Sequence, residues 1–504
     1  MMNGRPRPNF HDEMHILPEP VELNYKDNHF ADLQDFTPEC PTGFSRAMAL
    51  LLDQFTFRAS SGKPFRILPM EAPEDDEAYA IDATEERITV SVASERAALY
   101  AVQTLMQMRR GNTVPTAQVK DQPAMKIRGM QINLSSIRQF RRDDVLALIR
   151  KLGKFKLNTL GIEYQRFFPF AKHPALREQN GCFSREDIAA FDAACAENGV
   201  DVIPLLQCLG HNGFISRRSE YSHLFEPVSH TDSAPSVQYC PLNPDCFELY
   251  KDLASELMEA HPGGKYFHIG GDEARNLGMC PKCAEFAAKY GCGRLYADHV
   301  NKVAEWVISK GRTPIIWDDM LSHYLDVIPM MRRDLVIMYW DYWTTSDPSP
   351  ITVLRPAGEG IVIDRSRVED GYAGMNDPEL LIAKTFAAAR DLEEIFRQRP
   401  EIAPFRKYLG ADFPRSFTAF PFLDLYRKLG FKVIGAPTTL GNTVDDIYGL
   451  PNFMRFRKNI YAFAKKCKEH SVMGMMTSAW YDFPPEILEM GLICTANDLW
   501  STGR

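Results

Sequence analysis

Lys265–Glu273 reads KYFHIGGDE. A short apolar run leads into two glycines, and two carboxylates, Asp272 and Glu273, follow at once. The apolar run fits a buried strand, and the glycines free the backbone to turn sharply where it ends. Helical patterns lie on both sides. NPDCFELYKDLASELMEAH (243–261) has Asn243 placed to cap and Pro244 at the first helical position. A second pattern spans roughly 298–310. A short buried strand set between helices is the unit of a parallel sheet covered by helices.

The same unit recurs outward in both directions. Upstream are MKIRGMQINL (125–134), a helix over 143–155 with Val145, Leu148, Ile149 and Leu152 inward, and NTLGIEY (158–164). SREDIAAFDAACAENG (184–199) follows, with Ser184 as N-cap and Asp187 in the capping-box position, then VDVIPLLQ (200–207). Downstream come TPIIW (313–317), DLVIMYW (334–340), FKVIGAP (431–437), a helix near 453–469 and SVMGMMTSAW (471–480). Eight such strands predict an α/β chain closed as a (β/α)8 TIM barrel over residues 121–504. A long insertion near 341–430 interrupts it, with a helix near 378–398. Residues 1–120 predict a small N-terminal α+β accessory domain behind a proline-bearing lead-in. Its strands are AYAIDA (78–83) and ITVSVA (88–93). A helix over 94–108 is capped by Ser94 and turns Ala98, Val102, Leu105 and Met106 to one side. VPTAQVKDQPA (114–124) reads as a loop.

The bulk composition excludes several classes. A chain of 504 residues with 45% hydrophobic and 25% charged residues has the make-up of a multidomain globular protein. A net charge of −8 argues against nucleic acid as a partner. No apolar run reaches the length of a membrane span, and no secretory leader is evident at the N-terminus. Eleven cysteines, an odd number in a long chain, read as reduced thiols, and the expected compartment is the cytoplasm.

A barrel of this kind builds its active site at the C-terminal ends of its strands. Read in order, those ends carry Glu163-Tyr164, Gly210-His211, Asp272-Glu273, Trp317-Asp318-Asp319, Trp340-Asp341-Tyr342-Trp343 and Trp480-Tyr481-Asp482, while Arg128 lies within the first strand. Four of the six tryptophans fall there. Flat rings beside carboxylates suit a sugar, whose C–H face packs on the ring while its hydroxyls meet the acids.

HIGGDE resembles the signature of glycoside hydrolase family 20, the β-N-acetylhexosaminidases, in particular the hexosaminidase D-like branch. Other segments are similar in the same order. KIRGMQINLS resembles the first barrel strand, which implies that Arg128 holds sugar hydroxyls. IPLLQCLGH (203–211) resembles the segment of the active-site histidine, here His211. IIWDDM (315–320) resembles the segment whose tryptophan, here Trp317, walls the acetamide pocket. TSAWYD (477–482) resembles the tryptophan–acid pair beneath the sugar, here Trp480 and Asp482. Tyr342 is the choice for the tyrosine that holds the acetamido oxygen, with Trp340 and Glu163 as further substrate contacts. The resemblance implies an exo-acting enzyme that releases terminal β-linked GlcNAc or GalNAc by substrate-assisted retaining hydrolysis, with no cofactor required. Glu273 would protonate the glycosidic oxygen, which calls for a raised pKa, and Asp272 would orient the 2-acetamido group. One departure is EYQRFFPF (163–170), where Gln165 and Arg166 stand in place of the acids of a pattern like EYEDKFP.

Two other readings stand beside this one. A glycan-binding protein on a degenerate barrel would keep the aromatic platform without the chemistry. A retaining glycosidase with a protein nucleophile would pair Glu273 with Asp319 or Asp482. Cys280 and Cys283, in MCPKC (279–283), form a CxxC pair that is either free thiols or part of a structural zinc site, with Cys240, Cys246 and Cys292 as further candidates.

Overall fold

The computed structural model describes residues 15–40, 43–57, 62–135, 140–228, 236–342, 344–347, 353–357, 360–364, 400, 403–411, 418–440, 453–480 and 485–501. In the N-terminal part, β1 (Glu22–Asp32), β2 (Phe36–Glu39), β3 (Lys63–Pro69), β4 (Tyr79–Ala83), β5 (Ile88–Val92) and β6 (Thr113–Asp121) form one sheet in the order β1-β6-β4-β5-β3-β2. β4 and β5 alternate buried and half-buried residues, as strands with one covered face do. The helix Glu95–Met108 covers that face, and Ser94 caps it by accepting from the Ala97 N–H.

β6 corrects the sequence reading, which took this stretch as a loop. Pro115 suggested the loop, but it sits where β6 pairs only with β1, since the pairing with β4 runs no further than Ala83↔Ala117. A proline lacking a ladder donor is tolerated on such a one-sided stretch. The strands β1, β2 and β3 were not foreseen either; β1 carries an irregularity between Tyr25 and Phe30 that breaks its alternation.

The barrel strands are β7 (Ile127–Asn133), β8 (Thr159–Glu163), β9 (Asp201–Leu205), β10 (Tyr266–His268), β11 (Thr313–Trp317) and β12 (Val336–Trp340). A hairpin of β13 (Val353–Ala357) and β14 (Gly360–Asp364) follows, then β15 (Lys432–Ala436), β16 (Thr438–Leu440) and β17 (Gly474–Ala479). Among the described residues, β7 to β12, β15 and β17 pair in parallel, and β17 closes the ring by pairing with both β15 and β7. This is a (β/α)8 barrel. Alternation along each strand sorts the side chains. Ile315, Trp317, Val336 and Met338 fill the barrel interior, while Ile316, Ile337 and Tyr339 face the surrounding helices.

Local signals place the helices. Ser184 and Asp187 form the expected capping box ahead of Arg185–Glu197, and Asn243 caps Pro244–Ala260. The helix expected near 298 starts earlier, at Cys292, directly behind Gly291, whose φ of 84° ends the preceding helix Pro281–Tyr290. Between β12 and β15 the described elements are the β13–β14 hairpin, a short turn at Ala403–Tyr408 and the helix Pro421–Lys428. The helix expected near 378–398 lies outside the described residues. Among the described residues no helix is long and apolar enough to cross a membrane.

Candidate active site

At the C-terminal rim of the barrel a cavity of about 340 Å³ opens. It is lined by Asn133, Ser135, Glu163, Gln165, Gln207, His211, Asp272, Glu273, Trp317, Trp340, Tyr342 and Trp480. That volume is within the range of small-ligand sites.

The acid pair owes its position to the glycines before it. β10 stops at His268 because Gly270 and Gly271 adopt φ of 65° and 88°. A Cβ on Gly270 would lie 1.8 Å from Gln207 Oε1, the atom that accepts a hydrogen bond from the Gly271 N–H. The loop after β9 presses equally close, since a Cβ on Gly210 would lie 2.4 Å from the Asp272 carbonyl oxygen. Glu273 itself has φ of 47° and His211 φ of 54°. Such conformations cost about 1–3 kcal/mol each outside glycine, and they persist where neighbours enforce them. At Glu273 the enforcing contact is Asp319, whose Oδ2 accepts from the Glu273 N–H at 2.9 Å.

The result is a shared contact. His211 Nε2 lies 3.2 Å from Asp272 Oδ2 and 3.4 Å from Glu273 Oε2. The Asp272 carboxylate and these hydrogen bonds hold the imidazole protonated well above its ordinary range, against burial. Burial opposes ionisation of Asp272, but the His211 charge outweighs it with help from the Gln207 amide, and its pKa falls. Asp272 Oδ1 is buried without a hydrogen-bond partner of good geometry.

Glu273 departs from expectation. The hydrogen bond from His211 pulls its pKa down, burial resists, and Arg275, whose Nη2 is 3.0 Å from Oε1, adds to the lowering. The surroundings of Glu273 therefore lower its pKa, where a proton donor was anticipated to have it raised. Two other acids move the opposite way. Burial pushes Glu163 up to about 7, partly offset by the Gln165 hydrogen bond. Asp319 is also pushed up to about 7, by burial and then by the Asp272 charge.

Aromatic rings wall the other side. Trp317 and Trp480 pack with centroids 5.6 Å apart, Trp340 and Tyr342 at 5.0 Å, and Trp480 Nε1 donates to Tyr342 Oη at 2.7 Å. Trp317 is almost wholly buried, and its Nε1 has no hydrogen-bond partner.

Glu163, His211, Asp272, Glu273, Trp317, Trp340, Tyr342 and Trp480 thus converge on one cavity. Asp482 lies outside the described residues. Arg128 does not belong to the site. It is the second residue of β7, at the opposite end of the barrel, with no solvent exposure. Its Nη2 pairs with Glu77 Oε2 at 2.6 Å, and its other donors go to the carbonyls of Met125 and Lys156 and to Tyr100 Oη. Its position early in the strand was the signal that it points away from the rim.

Asn133, Ser135, Gln165 and Gln207 were missed as lining residues. Asn133 Nδ2 and Gln165 Nε2 each donate to Glu163 at 2.8 Å, and Ser135 Oγ donates to Gln165 Oε1 at 2.6 Å. Gln165, noted only as a departure, therefore orients Glu163. Arg166 turns away to pair with Glu178 at 2.9 Å. Cys280 and Cys283 lie beyond the rim, beside Cys240 and Glu226.

Residues 126–352 match the model of the glycosyl hydrolase family 20 catalytic domain, and residues 13–122 match that family's domain 2. Hexosaminidase D of Bos taurus is 29% identical over 214 residues, covering 40% of this chain and 59% of that protein. Hexosaminidase D of Homo sapiens is 31% identical over 185 residues, covering 35% and 36%. The chain thus spans less than two thirds of the length of these relatives. A β-N-acetylhexosaminidase from Bacteroides fragilis superposes with a TM-score of 0.67 at 16% identity, covering 97% of this chain and 91% of that one. A family 20 exo-β-N-acetylglucosaminidase from Vibrio harveyi gives 0.66 at 16%, covering 97% and 73%. At such identity the superpositions speak for the fold, while the two adjoining sequence models speak for descent: this chain belongs to glycosyl hydrolase family 20.

Proposed function

We propose that the protein is an exo-acting β-N-acetylhexosaminidase whose substrate is a terminal 2-acetamido sugar in β linkage. The observation that carries this reading is Asp272. It is a buried carboxylate favoured in its ionised form, with Oδ2 on His211 and Oδ1 lacking a good partner, next to an acid at the same rim. An acetamide N–H is the donor that such an oxygen accepts.

In the first step the acetamido oxygen attacks C1 and the C1–O bond to the leaving group breaks. The leaving oxygen takes its proton from Glu273, and Asp272 stabilises the positive charge spreading onto the acetamido nitrogen. In the second step water attacks C1, Glu273 takes back a proton, and the ring of the oxazolinium opens with net retention. Sugar binding against Trp480 strips water from Glu273, which raises its pKa. Asn133, Glu163 and Gln165 supply polar atoms for the sugar hydroxyls.

A protein nucleophile is less well supported. Asp319 is committed to the Glu273 N–H and does not line the cavity. Glu163 does line it, but two amides already occupy its carboxyl, and a pKa near 7 leaves much of it protonated in mildly acidic solution. A binding-only role would leave the His211-linked acid pair without a purpose. None of the eleven cysteines is paired in a disulfide, which supports a reducing, cytoplasmic compartment.

The test compares aryl β-glycosides of GlcNAc, GalNAc and glucose, together with inhibition by a thiazoline analogue of the oxazolinium. Release from the acetamido sugars only, with thiazoline binding far more tightly than substrate, is expected. Asp272→Asn is expected to lose both. Hydrolysis of the glucoside, with a covalent adduct trapped by a 2-fluoro sugar, would replace this mechanism by a protein nucleophile.

A further inference from the structure

We propose that Glu226, Cys240, Cys280 and Cys283 form a structural zinc site that clamps the loop after β9 to the loop after β10. One ligand atom from each of the four lies within 4.8 Å of all the others. Cys240 Sγ is 3.6 Å from Cys280 Sγ and also 3.6 Å from Cys283 Sγ. Tetrahedral zinc with bonds of about 2.3 Å sets its sulfurs about 3.8 Å apart, so the thiols already stand near the edges of that tetrahedron. A disulfide fits less well. It needs sulfurs at about 2 Å, and Cys240 stands equally far from two partners.

The fourth ligand is the independent observation. Glu226 is 1% exposed, and its Oε1 is buried without a hydrogen bond of good geometry, with the Cys283 thiol beside it. Its other oxygen, Oε2, is fixed by the Cys280 N–H at 2.5 Å. A buried carboxylate anchored through one oxygen and gathered with three thiols is a ligand in place. Burying it otherwise carries a penalty that an apolar or amide side chain would avoid.

The local structure prepares the sulfurs as well. Phe225 and Tyr239 form an antiparallel bridge, so Glu226 and Cys240, each the residue after a bridge partner, flank it diagonally on one face. Cys280 caps the helix Pro281–Tyr290, and its Sγ accepts from the Cys283 N–H at 3.4 Å. Three soft sulfurs with one carboxylate select zinc over calcium or magnesium.

The clamp has a definite position. The loop after β9 carries His211 near its start and Cys240 near its end, and it is folded back by the bond from the Tyr239 N–H to the Leu209 carbonyl at 2.9 Å. The loop after β10 carries Asp272 and Glu273, then Cys280, and Cys283 sits in the first turn of the helix that follows. The metal would hold together, at their outer ends, the two loops whose inner ends meet at His211. This site stands on its own geometry and does not depend on the reaction proposed above.

The full chain is purified under reducing conditions without added metal or chelator, and zinc is measured by elemental analysis. About one zinc per chain is expected. Stripping it with a strong chelator should lower the melting temperature, and adding zinc chloride back should restore it. Cys240→Ala and Cys283→Ala should lose the metal, while Cys40→Ser, just past β2 in the N-terminal domain, should keep it. If either alanine variant does not fold, cobalt(II) added to stripped unmodified protein should give sulfur-to-cobalt charge-transfer absorption. Three results would overturn the proposal: zinc near zero in the unmodified chain with no uptake on reconstitution, zinc retained by both alanine variants, or a thiol count two below eleven in the denatured, unreduced protein.

Discussion

A proton donor at Glu273 has to work against its own surroundings, because His211 and Arg275 both favour the ionised carboxyl. Since kcat/KM reports the free enzyme, its alkaline limb should follow Glu273 and fall on the acid side of neutrality. Arg275→Gln removes one stabilising charge and should move that limb to higher pH. The Arg275 side chain is 78% exposed, so solvent screens it and the shift should stay below about one pH unit. An unmoved limb would assign it to Glu163 or Asp319, whose values lie near 7. Glu273→Gln should cost roughly 10²–10⁴-fold in rate, more with poor leaving groups than with activated aryl ones. Equal losses on both substrate types would remove the residue from the donor role. The sequence made the acid pair legible because a two-glycine turn after an apolar run marks a strand end. It did not reveal the pull on Glu273, because that depends on where Arg275 and His211 point.

At the level of elements, the strand ends do the gathering. Trp317 ends β11, Trp340 ends the next strand, β12, and Trp480 follows β17, far along the chain, yet all three adjoin one cavity. Trp480→Ala should raise KM strongly while the protein stays folded, because the ring is only half-buried, at the edge of the barrel's interior cluster. A large fall in melting temperature with little change in KM would mean that the ring plugs the barrel instead. Tyr342→Phe should act in the same direction more weakly, by releasing the Trp480 Nε1–H that Tyr342 Oη accepts. Strands of this barrel were readable because each is a short apolar run between capped helices. β6 was not, because Pro115 mimics a loop unless its one-sided pairing is known.

Across the whole molecule, charge is buried where the N-terminal domain meets the barrel floor. Glu77 reaches Arg128 at 2.6 Å and Arg96 at 3.2 Å, and Lys156 reaches Asp121 at 3.0 Å. Arg128→Met would leave Glu77 buried without its main partner, a change that costs about 3–5 kcal/mol. The expected outcome is a lower melting temperature with an unchanged KM; a raised KM would return Arg128 to the sugar. For Glu77, burial acts upward but Arg128 and the Asn158 hydrogen bond prevail, so its folded pKa lies below 4.5. Its contribution is therefore present above that value and lost as pH falls through the folded pKa. Glu77→Gln should destabilise at neutral pH, and the difference from the unmodified protein should shrink below about pH 4. Arg128 stands second in its strand, away from the C-terminal rim, and it was the resemblance rather than this position that made this residue of the seam a substrate contact.

Trp500 carries that seam into the order of synthesis. It is fully buried in the core of the N-terminal domain, donates from Nε1 to Asp121 at 2.6 Å, and offers its carbonyl to the Ala124 N–H. Asp121 and Trp500 are 379 residues apart. The domain that leaves the ribosome first therefore lacks part of its interior until the helix Pro485–Trp500, which follows β17, has emerged. A chain halted before that helix should hold its N-terminal sheet in a protease-sensitive state, and Trp500→Ala should reproduce the sensitivity in the full chain. Equal resistance in the halted and complete chains would show that the domain finishes folding without waiting.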